Sequence, residues 1–266
     1  MTIGIFLLSI IAIAVALSVI MSGAWIVQRA TGNSGWVDTA WTFGLGLVGI
    51  GAALLLPPHD FPPREMAVAV LVALWAARLG IHIAARTAKI TDDPRYAKLA
   101  EGWGDDAPRR MFYFLQQQAF GSVPLALSVY LAAKNPTPAM RWQDYLGFAI
   151  VIVAILGEAI ADWQLRHFQK NPANRGKILD RGLWAWSRHP NYFFQWFGWL
   201  AWPVIAVGIG YPFGWLALLG PAVMYWVLRY ATGVPHLEAH MERTRGTAFA
   251  EYKRRTNLFF LGPPRA

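Results

Sequence analysis

IGIFLLSIIAIAVALSVIMSGAWIV, residues Ile3–Val27, contains no charged side chain. A bilayer core about 30 Å thick is crossed by about 20 mainly apolar helical residues, so the stretch is long enough to span a membrane. It is too long for the apolar core of a signal peptide, and Met1-Thr2-Ile3-Gly4 lacks the cationic start such a peptide has. It therefore predicts an uncleaved transmembrane helix. Six further apolar runs follow, at 36–56, 66–85, 112–133, 142–165, 192–209 and 212–230, ahead of a polar tail at 231–266.

Composition agrees with this reading. Of 266 residues 56% are hydrophobic and 15% charged, where a soluble domain has roughly 45–50% and about 25%. That balance argues against a disordered chain and against a plain water-soluble enzyme. The chain has no cysteine, which removes disulfides, thiolate metal sites and thiol nucleophiles together. The net charge of +9 would by itself suit nucleic acid, acidic lipid or a phosphate-bearing ligand.

Topology explains most of that charge. With the N-terminus outside, all but four of the 24 Lys and Arg fall in inner loops or the tail, leaving Arg64, Lys134 and Arg141 outside and Arg78 within a span. Such segregation is what the positive-inside rule requires. The expectation is an all-α integral membrane protein of seven transmembrane helices, N-out and C-in, forming one membrane domain over 1–266. Nucleic acid is discarded as a partner. Gly44-Leu45-Gly46-Leu47-Val48-Gly49 has the letters of a dinucleotide-binding loop but lies inside an apolar span, so these glycines predict close helix packing.

Charges inside spans are expensive, and each is a functional candidate. The second span carries Asp38, preceded by Asn33 and Ser34 and set between Trp36, Trp41 and Phe43, where burial would favour a protonated carboxyl able to donate. The third carries Trp75, Arg78, His82 and Arg86 on one helical stripe, and the fifth carries Glu158, Asp162 and Arg166 at steps of four. Arg78 neutralising Asp38 or Glu158, and Asp162 with Arg166 as a solvated helix end, are the plainer alternatives. His236, Glu238 and His240 have metal-ligand spacing without a further clear ligand, so no metal is assigned.

Between the fifth and sixth spans, Arg188-His189-Pro190-Asn191-Tyr192 combines a cation, an imidazole, an amide and an aromatic face directly before a membrane helix. Interface anchoring accounts for the aromatics but not for the set. The mixture suits a ligand with phosphates, sugars and a flat ring.

This motif after Gly182-Leu183-Trp184, with Gly157-Glu158 and Asp162 upstream and Glu251-Tyr252-Lys253-Arg254-Arg255-Thr256-Asn257-Leu258-Phe259 in the tail, resembles the bacterial relatives of steroid 5α-reductase. The resemblance covers the chain from about Gly157 onward; before that it rests on Asn33, Ser34, Asp38, Trp41 and the Arg78-bearing span. Isoprenylcysteine carboxyl methyltransferases share a similar signature with a different cofactor. The resemblance implies an enzyme of the bacterial inner membrane, acting as a monomer, that holds NADPH from the cytoplasmic side and reduces the conjugated C=C of a 3-oxo-4-ene steroid or similar lipophilic enone.

It also implies roles. Glu158, Asp162, Asn191 and Arg229 fall on cofactor-contacting positions, and Gln195 stands where animal reductases have a glutamate. Asp38 and Trp75 are the nearest counterparts of the family's enone-binding glutamate and tyrosine, so the acid role rests on Asp38 or on an unassigned tyrosine. We assign Asp38 to catalysis, Trp75, Trp41 and Asn33 to the substrate, and Arg78, His82, Arg86, Arg166, Arg188, His189, Tyr192, His236 and Glu238 to the cofactor with the positions above. The rivals are methyl transfer from S-adenosylmethionine to a lipidated carboxylate, and a small-molecule transporter.

Overall fold

The computed structural model describes residues 1–265, and among them the regular structure is helical. The long elements are α1 (Ile3–Thr31), α2 (Gly35–Leu54), α3 (Pro62–Thr87) and α7 (Trp142–Lys170); these four are long and apolar enough to cross a membrane. Their limits follow from local chemistry. The Thr2 hydroxyl accepts from the Ile5 amide to start α1, and Gly32, at φ 67°, ends it in a left-handed turn that favours glycine.

The other three expected spans are each assembled from shorter pieces. Residues 112–133 fall in α5 (Ala107–Gly121) and α6 (Val123–Ala133), parted where Pro124 has no amide to continue the ladder. Residues 192–206 of the expected span 192–209 are covered by α9 (Pro190–Trp199) and α10 (Ala201–Ala206), parted at Leu200, which follow the one-turn α8 (Leu183–Trp186). Residues 212–230 fall in a 3-10 segment (Pro212–Leu218), α11 (Leu219–Trp226) and a wide π turn (Val227–Ala231). The tail is mostly α12 (Val234–Arg255), kinked at Gly246. Within the stretch expected as an inner loop, Pro94–Trp103 forms a helix, α4, with Asp93 accepting from the Arg95 amide as its cap.

The chain forms two compact units, a finer division than the single domain expected. Unit 1 is Met1–Phe148 with Trp202–Gly220; unit 2 is Ala149–Ala201 with the chain from Pro221 onward. In unit 1, α2 packs against α1, α3 and α6. The glycines of α2 are the contact surface: a Cβ on Gly44 would meet Ile20 of α1 at 2.4 Å, and one on Gly46 would meet Ala76 of α3 at 2.4 Å. These glycines therefore let three helices approach closely, as the failed nucleotide motif implied. The outward residues of α1, among them Leu8, Ile11 and Val19, remain exposed, as a lipid-facing stripe would be.

Candidate functional site

Unit 1 gathers its charges where α2 begins. Asp38 lies in the first turn of α2, a position that favours an anion through the helix dipole. Its carboxylate accepts from Arg95 Nη2 and, at 2.8 Å, from the Tyr96 hydroxyl, while Arg86 Nη2 stands 3.9 Å away. Arg95 is shared with Asp93, donating through Nη2 at 2.8 Å and Nε at 3.0 Å. The expected acid enclosed by Trp36, Trp41 and Phe43 is thus corrected: Asp38 meets a guanidinium and a phenol brought by α4.

Tyr96 is buried, and its hydroxyl also accepts from Gln118 Nε2 at 3.3 Å. Burial pushes the phenol well up from its ordinary value and the neighbouring Asp38 charge adds to this, so Tyr96 remains a donor at neutral pH. Burial would raise the Asp93 carboxyl, but the Arg95 hydrogen bond and charge outweigh it and hold it below the usual range. Trp41 joins the same polar run, its indole donating at 2.7 Å to Ser122, whose hydroxyl donates to the Gln118 carbonyl at 2.7 Å.

Other assignments in this unit fare differently. The Asn33 amide donates to the carbonyls of Thr87 at 3.1 Å and Ile90 at 2.9 Å, and its oxygen accepts from the Gly35 amide. Asn33, assigned to the substrate from sequence, therefore staples the turn before α2 to the end of α3. Trp75, Arg78 and His82 share α3 with Arg86 and are partly exposed, and Arg86 is the member of the stripe that approaches Asp38 and Asp93.

Unit 2 builds its cluster around the start of α9. Arg188 donates from Nε to Glu238 Oε1 at 2.7 Å and from Nη1 to the carbonyls of Thr256 at 2.8 Å and Lys253 at 3.3 Å. Its backbone amide donates to the Asn257 carbonyl at 2.8 Å. A cation on the last carbonyls of α12 complements that helix's dipole. Arg188, assigned to the cofactor from sequence, thus also clamps the tail onto the motif.

His189 is buried, with Nε2 3.3 Å from Glu238 Oε1 and its ring stacked on Tyr192 at 5.6 Å. Burial pushes the imidazole below its ordinary value; Glu238 opposes this, and the cations Arg188 and Arg229 reinforce it. Burial would raise the Glu238 carboxyl, but hydrogen bonds from His189 and Arg188 and the Arg188 charge bring it down to about 2. Asn191 Nδ2 donates to Asp162 Oδ1 at 3.2 Å, tying the motif to α7, where Glu158 is buried one turn earlier. Gln195 is buried on α9, Arg229 lies over the Tyr230 ring at 4.8 Å on the π turn, and Arg166 and His236 are exposed. Among the described residues no group of three His, Asp or Glu side chains converges as a metal site would need.

The protein-family model described as "Protein of unknown function (DUF1295)" matches residues 24–256, which takes in both clusters. The chain belongs to the DUF1295 family. One curated relative, "Probable O-methyltransferase ustE" from Ustilaginoidea virens, is 41% identical over 46 residues, 17% of this chain. That similarity covers 16% of the relative's own length. No solved structure matches.

Within this DUF1295 chain, the residues missed from sequence are those of α4 and the helix packed on it: Asp93, Arg95, Tyr96 and Gln118. No local pattern links them to Asp38. One signal was available, because Asp93-Pro94 is an N-cap followed by proline at the first helical position and marks a helix inside the supposed loop.

Proposed function

We propose that this DUF1295 member is an NADPH-dependent membrane reductase acting on the conjugated C=C of a 3-oxo-4-ene steroid or similar lipophilic enone. It would work as a monomer in a bacterial inner membrane with the cofactor on the cytoplasmic side. The observation that carries the reading is the buried Tyr96 phenol hydrogen-bonded to Asp38. The relation of the family to steroid 5α-reductases supports it.

The donor and acceptor set of unit 2 suits a dinucleotide. Asp162 and Glu158 would accept from hydroxyl or carboxamide groups, Asn191 would donate, Tyr192 offers a ring face, and Arg229 would meet phosphate. When bound, NADPH supplies the hydride for the β-carbon of the enone. The ketone oxygen then gains negative charge, and Tyr96, by turning its one proton from Asp38 to that oxygen, would stabilise it before the α-carbon takes up a proton. Asp38, fixed by Arg95, orients the phenol. Trp41 and Trp75 supply apolar surface for a flat substrate.

The 46-residue similarity to an O-methyltransferase favours a second reading, methyl transfer from S-adenosylmethionine to a lipidated carboxylate. The nucleotide that copurifies with the full chain separates the two. NADP(H), together with enone-dependent NADPH oxidation, is expected; bound S-adenosylhomocysteine and no oxidation would overturn the reductase.

A further inference from the structure

Unit 1 carries a second charged node, toward the start of α3, whereas Asp38 lies by its end. Arg64 is fully buried and donates to both carboxylate oxygens of Asp144 at 3.1 Å and to the carbonyls of Asn135, Thr137 and Ala139 at 2.8, 2.9 and 2.5 Å. Arg141 adds a second guanidinium on the same carboxylate, through Nη2 at 3.1 Å and Nε at 3.4 Å. It also donates to the Val207 carbonyl at 3.1 Å and to the Ile205 carbonyl. Two guanidinium groups share one carboxylate, so the node keeps a net positive charge. Lys134 is neutralised separately by Glu65 at 2.9 Å, and the Asp60 charge acts on Lys134.

The node lies beneath a groove. These bonds take four of the five N–H groups of Arg141, leaving one on Nη1. Nη1 abuts Gly208, where an added Cβ would come within 2.9 Å of it. Gly208 and Ile209 form part of the lining of a cavity of about 710 Å³, with Trp142, Gln143 and Trp215 also on its walls. Trp142 is 73% exposed and Trp215 59%. Indoles in such a place suit the zone where a bilayer passes from headgroup to acyl chain.

The geometry points to an anionic glycerophospholipid as the occupant of this groove, its phosphate drawn over Gly208 by the excess positive charge and its glycerol and upper chains against Trp142 and Trp215. Charge complementarity selects an anionic lipid over a zwitterionic one. The two exposed indoles select a lipid over inorganic phosphate, which would gain nothing from them. The site stands apart from the reductase reading and holds for either orientation of the chain.

The test uses the full chain, delipidated in a neutral detergent and offered equal phosphatidylglycerol and phosphatidylcholine, with retained lipid counted by native mass spectrometry. Phosphatidylglycerol retained at least fivefold over phosphatidylcholine, and lost in the Trp142→Ala/Trp215→Ala double variant with its thermal melting unchanged, is the expected result. Because both tryptophans are exposed, their removal leaves the fold standing. Equal retention of the two lipids overturns the proposal, as does undiminished phosphatidylglycerol on the double variant. A stabilising shift produced equally by inorganic phosphate would reveal a free-anion site and overturn it too.

Discussion

The Tyr96 hydroxyl donates to Asp38 Oδ1 at 2.8 Å, across 58 residues of chain. A buried phenol whose one proton rests on a carboxylate can turn that proton to a negative charge developing beside it. Tyr96→Phe removes that donor and leaves the ring. Enone reduction should fall about 10²–10³-fold, the usual cost of one oxyanion donor, with NADPH affinity unchanged. Steady-state kinetics beside a nucleotide-binding isotherm checks both halves; full activity in this variant would remove Tyr96 from the mechanism.

Arg188 and Arg229 should separate stability from binding. Arg188→Gln leaves Glu238 without its closest cation and the end of α12 without its clamp, so thermal stability should drop by about 3 kcal/mol. Arg229→Gln should weaken NADPH binding and leave the melting temperature in place. Differential scanning fluorimetry with and without nucleotide distinguishes them, and the reverse pattern would return Arg188 to the role of phosphate holder.

Acid should loosen unit 2 in two overlapping stages. His189 has a folded value below its ordinary 6.5, so its contribution is complete above that pH and declines as pH falls below it. Glu238 is likewise depressed, from 4.5 to about 2, so its contribution is present above 4.5 and lost as pH falls toward 2. Melting temperature against pH should therefore decline below 6.5 and more steeply below 4.5. In Glu238→Gln the steeper stage should flatten.

Positions buried on both sides should be the least forgiving of charge removal. Arg64 and Asp144 are each fully buried, so Arg64→Met leaves Asp144 with Arg141 as its one guanidinium and takes the side-chain donor from the carbonyls of Asn135, Thr137 and Ala139, which should cost roughly 3–5 kcal/mol. A single variant as stable as the parent would mean that water reaches the node.

The sequence disclosed unbroken apolar runs far better than broken ones. Ile3–Val27, 66–85 and 142–165 each lie within one long helix, and 36–56 overruns α2 by two residues, because hydropathy and helix continuity agree there. At Ser122-Val123-Pro124 hydropathy continues while the hydrogen-bond ladder cannot, so a span-length run hides two helices. The site was legible as a list and obscure as a geometry. Asp38 in unit 1, and Glu238, His189 and Asn191 in unit 2, each meet polar partners within their own unit, yet Arg95 and Tyr96 come from a stretch whose charge topology fully explains. Asn33 and Arg188 have the chemistry of ligand contacts, and the backbone carbonyls that claim them are invisible in side-chain letters.

α3 carries Arg64 in its first turn and Arg86 in its last, and at about 1.5 Å per residue the two are about 33 Å apart. One end engages Asp144 and the other approaches Asp38 and Asp93, so α3 carries an ionic contact at each end. A hydrocarbon layer of about 30 Å fits between them. Across a membrane, acyl chains much longer or shorter than that would drag one charged end into oil or lift apolar turns into water, so the spacing of the two ends sets the bilayer thickness that suits α3.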